Sequence, residues 1–338
     1  MMEGQEITDA FMRPGAYDEK TEGDIKLIQT HISWVFLTGK YAYKIKKPVD
    51  FGFLDFTALE KRRKYCDLEL KLNRRLCPEI YLDVLPVTKE KDGKLKINGN
   101  GKTVEYALKM KQLPQDRLMN KLLDEGEIGD ETIDRIARIM ADFHSKAETS
   151  SEISEFGKPE KLKFNWDENF RQTEPFAGKV ISRKDFEFVK REIENFIKDN
   201  EHLFEKRIIE KKTRRVHGDL HSGNIFIING KPCIFDCIEF NLRFSCQDVA
   251  GDVAFLSMDL DYRNQKELSG FFIGKYIEYS GDNELAKVLD FYKCYYAWVR
   301  GKVTAFRLRE KLDEREKKHL EETSKKYFRL ALEYAKNI

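Results

Sequence analysis

Three oxygen-bearing side chains near the middle of the chain are spaced in a way that could serve one reaction. Asp219 follows His217 and Gly218, Asn224 stands five residues later, and two apolar runs joined by a short turn then lead to Asp236. Two short antiparallel strands with a two-residue turn return the chain to its starting point. We therefore expect the carboxylate of Asp236 to face the same place as Asp219 and Asn224.

The order Asp, Asn, Asp fits the requirements of phosphoryl transfer. In that reaction a carboxylate orients the acceptor hydroxyl, and divalent metal ions neutralise the charge of the triphosphate. Protein kinases use the pattern H-R-D-x-x-x-x-N followed by a later Asp, and this chain has the same order and spacing with Gly218 in place of arginine. We predict that Asp219 is the catalytic base and that Asn224 and Asp236 bind the metal. Hard oxygen ligands with no need for a thiolate indicate Mg²⁺.

The run HGDLHSGNIF, followed by IFDCIEFN, resembles the aminoglycoside phosphotransferase and choline kinase-like enzymes, and more narrowly the bacterial aminoglycoside phosphotransferase family enzymes. Further matches are THISWVFLTGKYAYKIKKPVDFGFLDF, EYALKMKQLP, GDVAFLSMDLD and YYAWVRGKV, so the resemblance runs from about Phe11 to the last helices. It implies a protein-kinase-like fold and ATP-dependent phosphorylation, but it does not name the acceptor. The sequence has no G-x-x-x-x-G-K-[ST] motif, so we expect a stand-alone kinase-like domain without the P-loop domain of some relatives.

The fold class that we predict is α+β, in a two-lobed arrangement. Short apolar-rich runs and glycine turns predict an antiparallel β N-lobe over residues 1–112. Apolar residues at helical spacing predict a mainly helical C-lobe over residues 113–338, which carries the catalytic loop and the acceptor site. Residues 1–24 are polar and contain a Pro-Gly pair, so we expect them to be a loose or docking arm.

The N-lobe strands carry a candidate phosphate-binding lysine. Ala42-Tyr43-Lys44 has the A-x-K pattern of the lysine that pairs with the α- and β-phosphates, so Lys44 is the predicted residue. Lys46 lies on the same strand face and is its competitor, and a solvated basic strand is the structural alternative. Glu69 on the following helix is the predicted carboxylate partner of this lysine, with Glu60 as the second candidate. The alternative is that Glu69 simply pairs with Arg63 or Asn73 on the helix surface.

Further nucleotide contacts are expected at four positions. Ser33 lies at the strand tip where protein kinases carry a glycine-rich loop; that loop is missing here, and an ordinary turn is equally compatible. The family resemblance makes the segment from Met110 to Leu113 the hinge whose backbone would bind the adenine edge. His221 stands where protein kinases often carry a lysine that reaches toward the transferred phosphate, and a structural role in the loop is the alternative.

The residues that would contact the phosphate acceptor are predicted with alternatives left open. Glu239, three residues after Asp236, could bind metal or a cationic acceptor, and Arg300 could touch the acceptor or pair with acidic residues. Six acidic residues stand between 236 and 261 against Arg243 alone, which favours a hydroxyl- or amine-bearing small molecule over an anionic one. Among these six, Asp252 is predicted to brace the catalytic loop.

Bulk composition narrows the partners and the location. Lys plus Arg number 61 against 59 Asp plus Glu, so no global field attracts nucleic acid. No apolar run approaches a membrane span, and the six cysteines lack zinc-type spacing and follow no secretory signal. We expect a cytoplasmic protein with reduced thiols and no membrane partner, and the oligomeric state is not predicted. Two alternative functions stay open: a Ser/Thr protein kinase of similar fold, and a nucleotide-binding module without turnover.

Overall fold

The computed structural model describes residues 4–338, which form two compact units. The first unit contains the chain up to Arg117 together with Cys233–Leu242, and the second contains Leu118–Pro232 and Arg243–Ile338. The first boundary lies near the predicted one at residue 112. The return of Cys233–Leu242 to the first unit was not predicted, and it makes Asp236 part of that unit.

The first unit is built on a six-stranded antiparallel sheet with the strand order β1-β2-β3-β6-β4-β5. Its elements are α1 (Gly4–Phe11), β1 (Lys26–Gln29), β2 (Ser33–Leu37), β3 (Tyr41–Lys46), α2 (Leu59–Asn73), β4 (Tyr81–Lys89), β5 (Leu95–Ile97) and β6 (Lys102–Lys111). Gly39 makes the tight turn between β2 and β3 with a φ of +94°, and a Cβ there would lie 2.5 Å from the Glu22 carbonyl oxygen.

Period-two alternation in β3 separates the apolar core from the charged face. Tyr43 and Ile45 are buried in the core of the first unit, and Lys44 and Lys46 alternate with them. The N-terminal helix α1 packs into the same core through Ile7, which is 1% exposed. Of the two alternatives, a loose or a docking arm, the structure shows a docked segment from residue 4 onward, because the apolar side of α1 packs against the sheet. Residues 1–3 lie outside the described part.

The second unit is mainly helical. Its elements are α3 (Met119–Asp124), α4 (Asp130–Lys146), α5 (Ser151–Ser154), α6 (Pro159–Thr173), α7 (Arg183–Asp199), α8 (Glu201–Ile209), β7 (Thr213–Arg215), β8 (Ile225–Ile228), β9 (Lys231–Ile234), α9 (Leu242–Ser245), β10 (Cys246–Asp248), α10 (Val249–Tyr262), α11 (Lys266–Ser280), α12 (Leu285–Arg307) and α13 (Glu314–Ala335). The chain passes from the second unit to the first inside β9 and returns at α9. The antiparallel N-terminal sheet and the helical remainder confirm the predicted α+β class.

Aromatic residues from three helices form the densest part of this helical core. Trp298 of α12 lies with its ring centroid 5.0 Å from Phe170 of α6 and 5.5 Å from Phe186 of α7. Helix α10 runs through the interior, because every residue from Val249 to Asp261 is buried. The acidic residues of α10 are therefore held inside the unit, where they need partners. No helix within residues 4–338 is both long and apolar enough for a membrane span.

Candidate active site

Five charged side chains of the first unit form a line in which acidic and basic groups alternate. Lys44 Nζ lies 2.7 Å from Glu69 Oε1 and 2.7 Å from Asp236 Oδ1. Lys46 Nζ lies 2.6 Å from the other Glu69 oxygen and also contacts Glu239 Oε1. We call Asp236, Lys44, Glu69, Lys46 and Glu239 the ion-pair network.

One end of the ion-pair network is closed and the other is open. The side chains of Lys46 and Glu69 are each 1% exposed and that of Glu239 is 5% exposed, whereas Lys44 is 13% and Asp236 39% exposed. A ligand can therefore reach Lys44 and Asp236 but not Lys46. Glu239, predicted as a contact for metal or acceptor, lies at the closed end and is engaged by Lys46.

Burial alone would favour the uncharged form of each side chain in the ion-pair network. The opposite charges of the neighbours keep Lys44 and Glu69 ionised despite this burial. Burial lowers the pKa of Lys44, but Asp236 and Glu69 raise it well above its ordinary value. Burial opposes the ionisation of Glu69, yet Lys44 and Lys46 lower its pKa to about 2. Glu239 behaves differently: burial raises its pKa to about 7, since Glu69 partly offsets the attraction of Lys46.

Two residues that the sequence analysis missed hold the backbone around Asp236. Asp236 has a φ of +67°, which is uncommon for a residue other than glycine. Its amide donates a hydrogen bond to the Tyr81 hydroxyl at 3.1 Å, and the next amide, of Cys237, donates to Asn73 Oδ1 at 2.8 Å. Neither Asn73 nor Tyr81 belongs to a motif, so only the fold identifies them.

Two of the six cysteines are paired in the first unit. Cys77 and Cys233 form a disulfide with their Cα atoms 5.8 Å apart. The free and buried cysteines are Cys66, Cys237, Cys246 and Cys294. The expectation that all six are reduced thiols is therefore wrong for this pair, because a separation of 156 residues gives no spacing signal in the sequence.

The other predicted nucleotide contacts of the first unit lie on or just after its strands. Ser33 begins β2 and is fully buried, and its hydroxyl has no hydrogen-bond partner within residues 4–338. Met110 lies in β6, where its backbone belongs to the sheet. Leu113 follows β6; its carbonyl accepts from the Gln115 side chain at 3.1 Å. Their roles toward a nucleotide stay predictions.

Asp219 and Asn224 meet in the loop between β7 and β8 of the second unit. Asn224 Nδ2 donates to the main-chain oxygen and to Oδ2 of Asp219, at 3.0 Å in each case. A short 3₁₀ turn over Ser222–Asn224 makes this contact possible at a spacing of five residues. Both hydrogen bonds use the amide nitrogen, so they leave the amide oxygen of Asn224, the atom that would bind a cation, unused.

The carboxylate of Asp219 lies beside the imidazole of His221. His221 Nε2 is 3.5 Å from Asp219 Oδ2, and its Nδ1 accepts a hydrogen bond from the Gly223 amide at 3.1 Å. Burial opposes the ionisation of Asp219, but His221 and Arg300 help to lower its pKa to about 2. Asp219 is therefore an ionised hydrogen-bond acceptor at neutral pH. The predicted contact of His221 with a phosphate stays a prediction.

Asp252 of α10 fixes the backbone that precedes Asp219. Its two carboxylate oxygens accept hydrogen bonds from the amides of His217 and Gly218, at 2.8 Å each. His144 Nε2 lies 3.0 Å from the same side chain. The prediction that Asp252 braces the catalytic loop is confirmed, and the buried His144 is part of the same support.

The remaining acidic residues between 236 and 261 are also engaged. Asp248 accepts hydrogen bonds of 2.5 and 2.7 Å from Arg207, Asp259 accepts from the Ser222 amide at 2.9 Å, and Asp261 pairs with Lys293 at 2.5 Å. All six acidic residues of this segment therefore have cationic or hydrogen-bonding partners. The cluster seen in the sequence is not a free acidic surface, and it gives no support to an amine-bearing acceptor.

Arg300, a predicted acceptor contact, lies on α12 with its guanidinium carbon 5.7 Å from the ring centroid of Tyr327. Burial opposes its charge, but Tyr327 and Asp219 raise its pKa above the ordinary value. Arg300 therefore stays charged and lies within electrostatic reach of the catalytic loop.

Within residues 4–338 no group of three or more His, Cys, Asp and Glu side chains is arranged to hold a metal ion. This is compatible with Mg²⁺ in a phosphotransferase, because Mg²⁺ there keeps several waters and is held by one or two carboxylates and by the phosphates of the substrate. The amide oxygen of Asn224 and the carboxylate of Asp236 are each of the ligand type that Mg²⁺ takes, and their roles as metal ligands stay predictions.

Comparisons by sequence find relatives in mycobacteria. No family model matches the chain. Over 292 residues the chain is 31% identical to uncharacterized proteins of Mycobacterium tuberculosis and Mycobacterium bovis, a match that spans 86% of this chain and 57% of each relative. The chain thus spans somewhat more than half the length of the curated relatives it matches.

Comparisons by structure find small-molecule kinases. A choline/ethanolamine kinase family protein from Mesorhizobium loti is similar with a TM-score of 0.55 and 9% identity, covering 98% of this chain and 100% of that chain. Choline kinase from Cryptosporidium parvum is similar with a TM-score of 0.54 and 12% identity, covering 93% of this chain and 89% of that chain. Aminoglycoside 2'-phosphotransferase-IIIa in its GDP complex is similar with a TM-score of 0.51 and 12% identity, covering 99% of this chain and 99% of that chain. The chain has the fold that these kinases share, and the expected protein-kinase-like fold is confirmed.

Proposed function

We propose that this chain, which has the fold of choline kinases and aminoglycoside phosphotransferases, is an enzyme of that family that transfers the γ-phosphate of ATP, with Mg²⁺, to a hydroxyl of a small molecule. The observation that carries the proposal is the meeting of Lys44 with Glu69 and Asp236, at 2.7 Å each. A lysine held by a helix glutamate is the arrangement that kinases use to position the phosphates of ATP. The structural neighbours support it, because their names describe kinases of small molecules.

The roles of the individual residues follow from their chemistry. Asp219, ionised because its pKa is about 2, would accept the hydrogen bond of the acceptor hydroxyl and orient it. It would take the hydroxyl proton as the acceptor oxygen bonds to the γ-phosphorus, the bond from that phosphorus to the bridging oxygen breaks, and ADP leaves. Lys44 would hold the phosphates, with Glu69 fixing its ammonium group. Asn224 and Asp236 would bind Mg²⁺, which when bound neutralises charge on the phosphates.

ATP consumption in the presence of a library of small alcohols tests the proposal. Wild type should turn over ATP with at least one member, and Asp219→Asn should lower kcat by roughly 10²- to 10⁴-fold, since a positioned base contributes about that factor. Asp167→Asn is the matched control, because Asp167 is an exposed residue of α6 that pairs only with Lys163. Equal turnover by wild type and Asp219→Asn would refute the proposal.

The same assay separates the two alternatives. Transfer of labelled phosphate to protein bands rather than to a small molecule would favour a Ser/Thr protein kinase. Binding of ATP with no Asp219-dependent turnover of any acceptor would favour a nucleotide-binding module.

A further inference from the structure

Arg300 is a charged residue that forms no direct ion pair within the described part of the chain, although the carboxylates of Asp219 and Asp259 act on its charge from a longer distance. Its side chain is only partly exposed, and its one aromatic neighbour is the ring of Tyr327. No carboxylate oxygen within residues 4–338 comes within the 4.0 Å that defines an ion pair with its guanidinium group. A guanidinium group has five N–H donors, so a partly buried arginine without a direct ion pair can hydrogen-bond to an anionic ligand.

The helix face that carries Arg300 lies beside the catalytic loop. Tyr296, one turn earlier on the same face of α12, stacks on Phe255 with ring centroids 4.1 Å apart. The ring of Phe255 lies 5.4 Å from that of His221, and His221 Nε2 lies 3.5 Å from Asp219 Oδ2. Contacts thus connect this face of α12 to the proposed catalytic base.

Three carboxylates of helix α10 bond directly to groups other than the guanidinium of Arg300. Asp259 accepts from Ser222, Asp252 from two loop amides, and Asp261 from Lys293 and Tyr334. Each of these carboxylates has its own partners. The guanidinium group of Arg300 hydrogen-bonds to Tyr327 and keeps further N–H donors that a ligand can use.

We infer that Arg300 binds an anionic group, a carboxylate or a phosphate, on the acceptor molecule. The inference rests on the proposed phosphotransferase function and narrows its substrate to alcohols that carry a negative charge. The planar guanidinium group presents paired N–H donors that match the oxygens of a carboxylate or a phosphate. Its charge would also offset the repulsion between such an acceptor and Asp219. The acidic composition of residues 236–261 had instead favoured a hydroxyl- or amine-bearing acceptor over an anionic one.

Matched sets of small alcohols test the inference. One such set is glycerate, glycerol 3-phosphate, glycerol and a trimethylammonium derivative of propanediol, which place a carboxylate, a phosphate, a neutral group and a cation on similar skeletons. We expect the highest kcat/KM for a carboxylate or a phosphate member, and the member that is preferred identifies which anion Arg300 takes. A neutral or cationic member that is preferred over both anions would overturn the inference.

Substitution of Arg300 gives the second readout. Arg300→Met should raise the KM for the anionic acceptor by roughly 10- to 100-fold, because a hydrogen-bonded charge contributes about that factor, and Arg300→Lys should restore part of the loss. Arg309→Met is the matched control: its guanidinium carbon lies 4.7 Å from the ring of Phe176, and it too has no ion pair within the described part of the chain. An unchanged KM in Arg300→Met would overturn the inference.

If no set is turned over, a binding measurement decides. Acetate, orthophosphate and tetramethylammonium are titrated into the protein saturated with ADP and Mg²⁺, and the NMR signal of the Arg300 Nε–H group is followed. A saturable shift with acetate or orthophosphate supports the inference, and the absence of one overturns it. Failure of the proposed function is distinguishable, because it would appear as ATP turnover that does not depend on Asp219.

Discussion

Lys44 Nζ lies 2.7 Å from Asp236 Oδ1, although 192 positions separate the two residues in the chain. The same ammonium group lies 2.7 Å from Glu69 Oε1. One lysine therefore links a sheet strand, a helix and the segment that returns to the first unit after β9. The link is partly open to solvent at Asp236, which is where a ligand can compete for the lysine.

Replacement of Lys44 should impair nucleotide use more than folding. Lys44→Met removes the accessible cation but leaves Glu69 paired with Lys46 at 2.6 Å. We expect kcat/KM for ATP to fall on the order of 10²-fold, as when one charge-stabilising donor is removed from an active site. Steady-state kinetics with varied ATP measures this effect. A variant with wild-type kcat/KM would exclude Lys44 from the role proposed for it.

Replacement of Lys46 should instead impair folding. Lys46→Met leaves Glu239 without a cation that contacts it and Glu69 with Lys44 alone. Loss of one partner from a buried ion pair costs about 3–5 kcal/mol. Urea unfolding should show this loss, and the double variant Lys46→Met/Glu239→Gln should lose less than the sum of the single changes.

The control for Lys46 is Lys26→Met, at an exposed position of β1 in the same sheet. Its effect on the free energy of unfolding should stay within about 0.5 kcal/mol. Equal stabilities of Lys46→Met and Lys26→Met would contradict the importance assigned to the closed end of the ion-pair network.

Glu239 should make stability depend on pH between about 4.5 and 7. Its pKa in the folded protein is raised to about 7 from an ordinary value of 4.5, mainly by burial. The folded state therefore binds the proton more tightly than the unfolded state, so this contribution is complete below pH 4.5 and is lost as the pH rises through 7. The slope for one proton is at most about 1.4 kcal/mol per pH unit.

The measurement is urea unfolding of wild type and Glu239→Gln from pH 4.5 to 8. The wild-type free energy of unfolding should fall with rising pH relative to that of the variant, whose glutamine cannot titrate. Glu69 does not interfere, because its pKa is lowered to about 2 and its contribution is lost only as the pH falls below its ordinary value. Parallel curves for the two proteins would contradict the raised pKa of Glu239.

Asn224 should affect the requirement for Mg²⁺ through its amide oxygen. Asn224→Asp keeps an oxygen at the metal-binding position but loses the two hydrogen bonds that Nδ2 donates to Asp219. Asn224→Leu loses both the oxygen and the donors. We expect the Mg²⁺ concentration for half-maximal turnover to rise roughly 10-fold or more in Asn224→Leu and less in Asn224→Asp, since oxygen ligands hold this ion.

Turnover measured against MgCl₂ concentration gives this comparison. Asp219→Asn, which retains an oxygen next to Asn224, should lower kcat with little change in the Mg²⁺ requirement. Identical Mg²⁺ curves for wild type and Asn224→Leu would remove Asn224 from the metal site.

The catalytic loop could be predicted from the sequence because its geometry is local. Asp219 and Asn224 are five residues apart, and a short turn brings their side chains to 3.0 Å. The support from Asp252 was predicted from its place near a helix start, but its actual partners, the amides of His217 and Gly218, lie 35 and 34 positions away, and only the fold identifies them. The antiparallel strands of the first unit followed from period-two alternation and from glycine turns such as that at Gly39.

The partners of the charged residues could not be predicted in the same way. The sequence offered Glu239 to metal or acceptor, whereas the structure pairs it with Lys46 across 193 positions. The acidic residues after Asp236 suggested a free negative surface, but Asp248 is engaged by Arg207, 41 positions away. The arm at the N-terminus looked polar, yet Ile7 is buried against the sheet.

The sequence by itself determined which residues could do the chemistry, how the catalytic loop turns and which class of fold carries them. Only the tertiary structure decided which lysine stays accessible and which carboxylates are engaged by cations or hydrogen-bond donors. The physical reason is the separation along the chain of the residues that interact. A backbone turn depends on neighbours a few residues away. Charge compensation in a low-dielectric interior depends instead on the distant segments that the fold brings within a few ångströms.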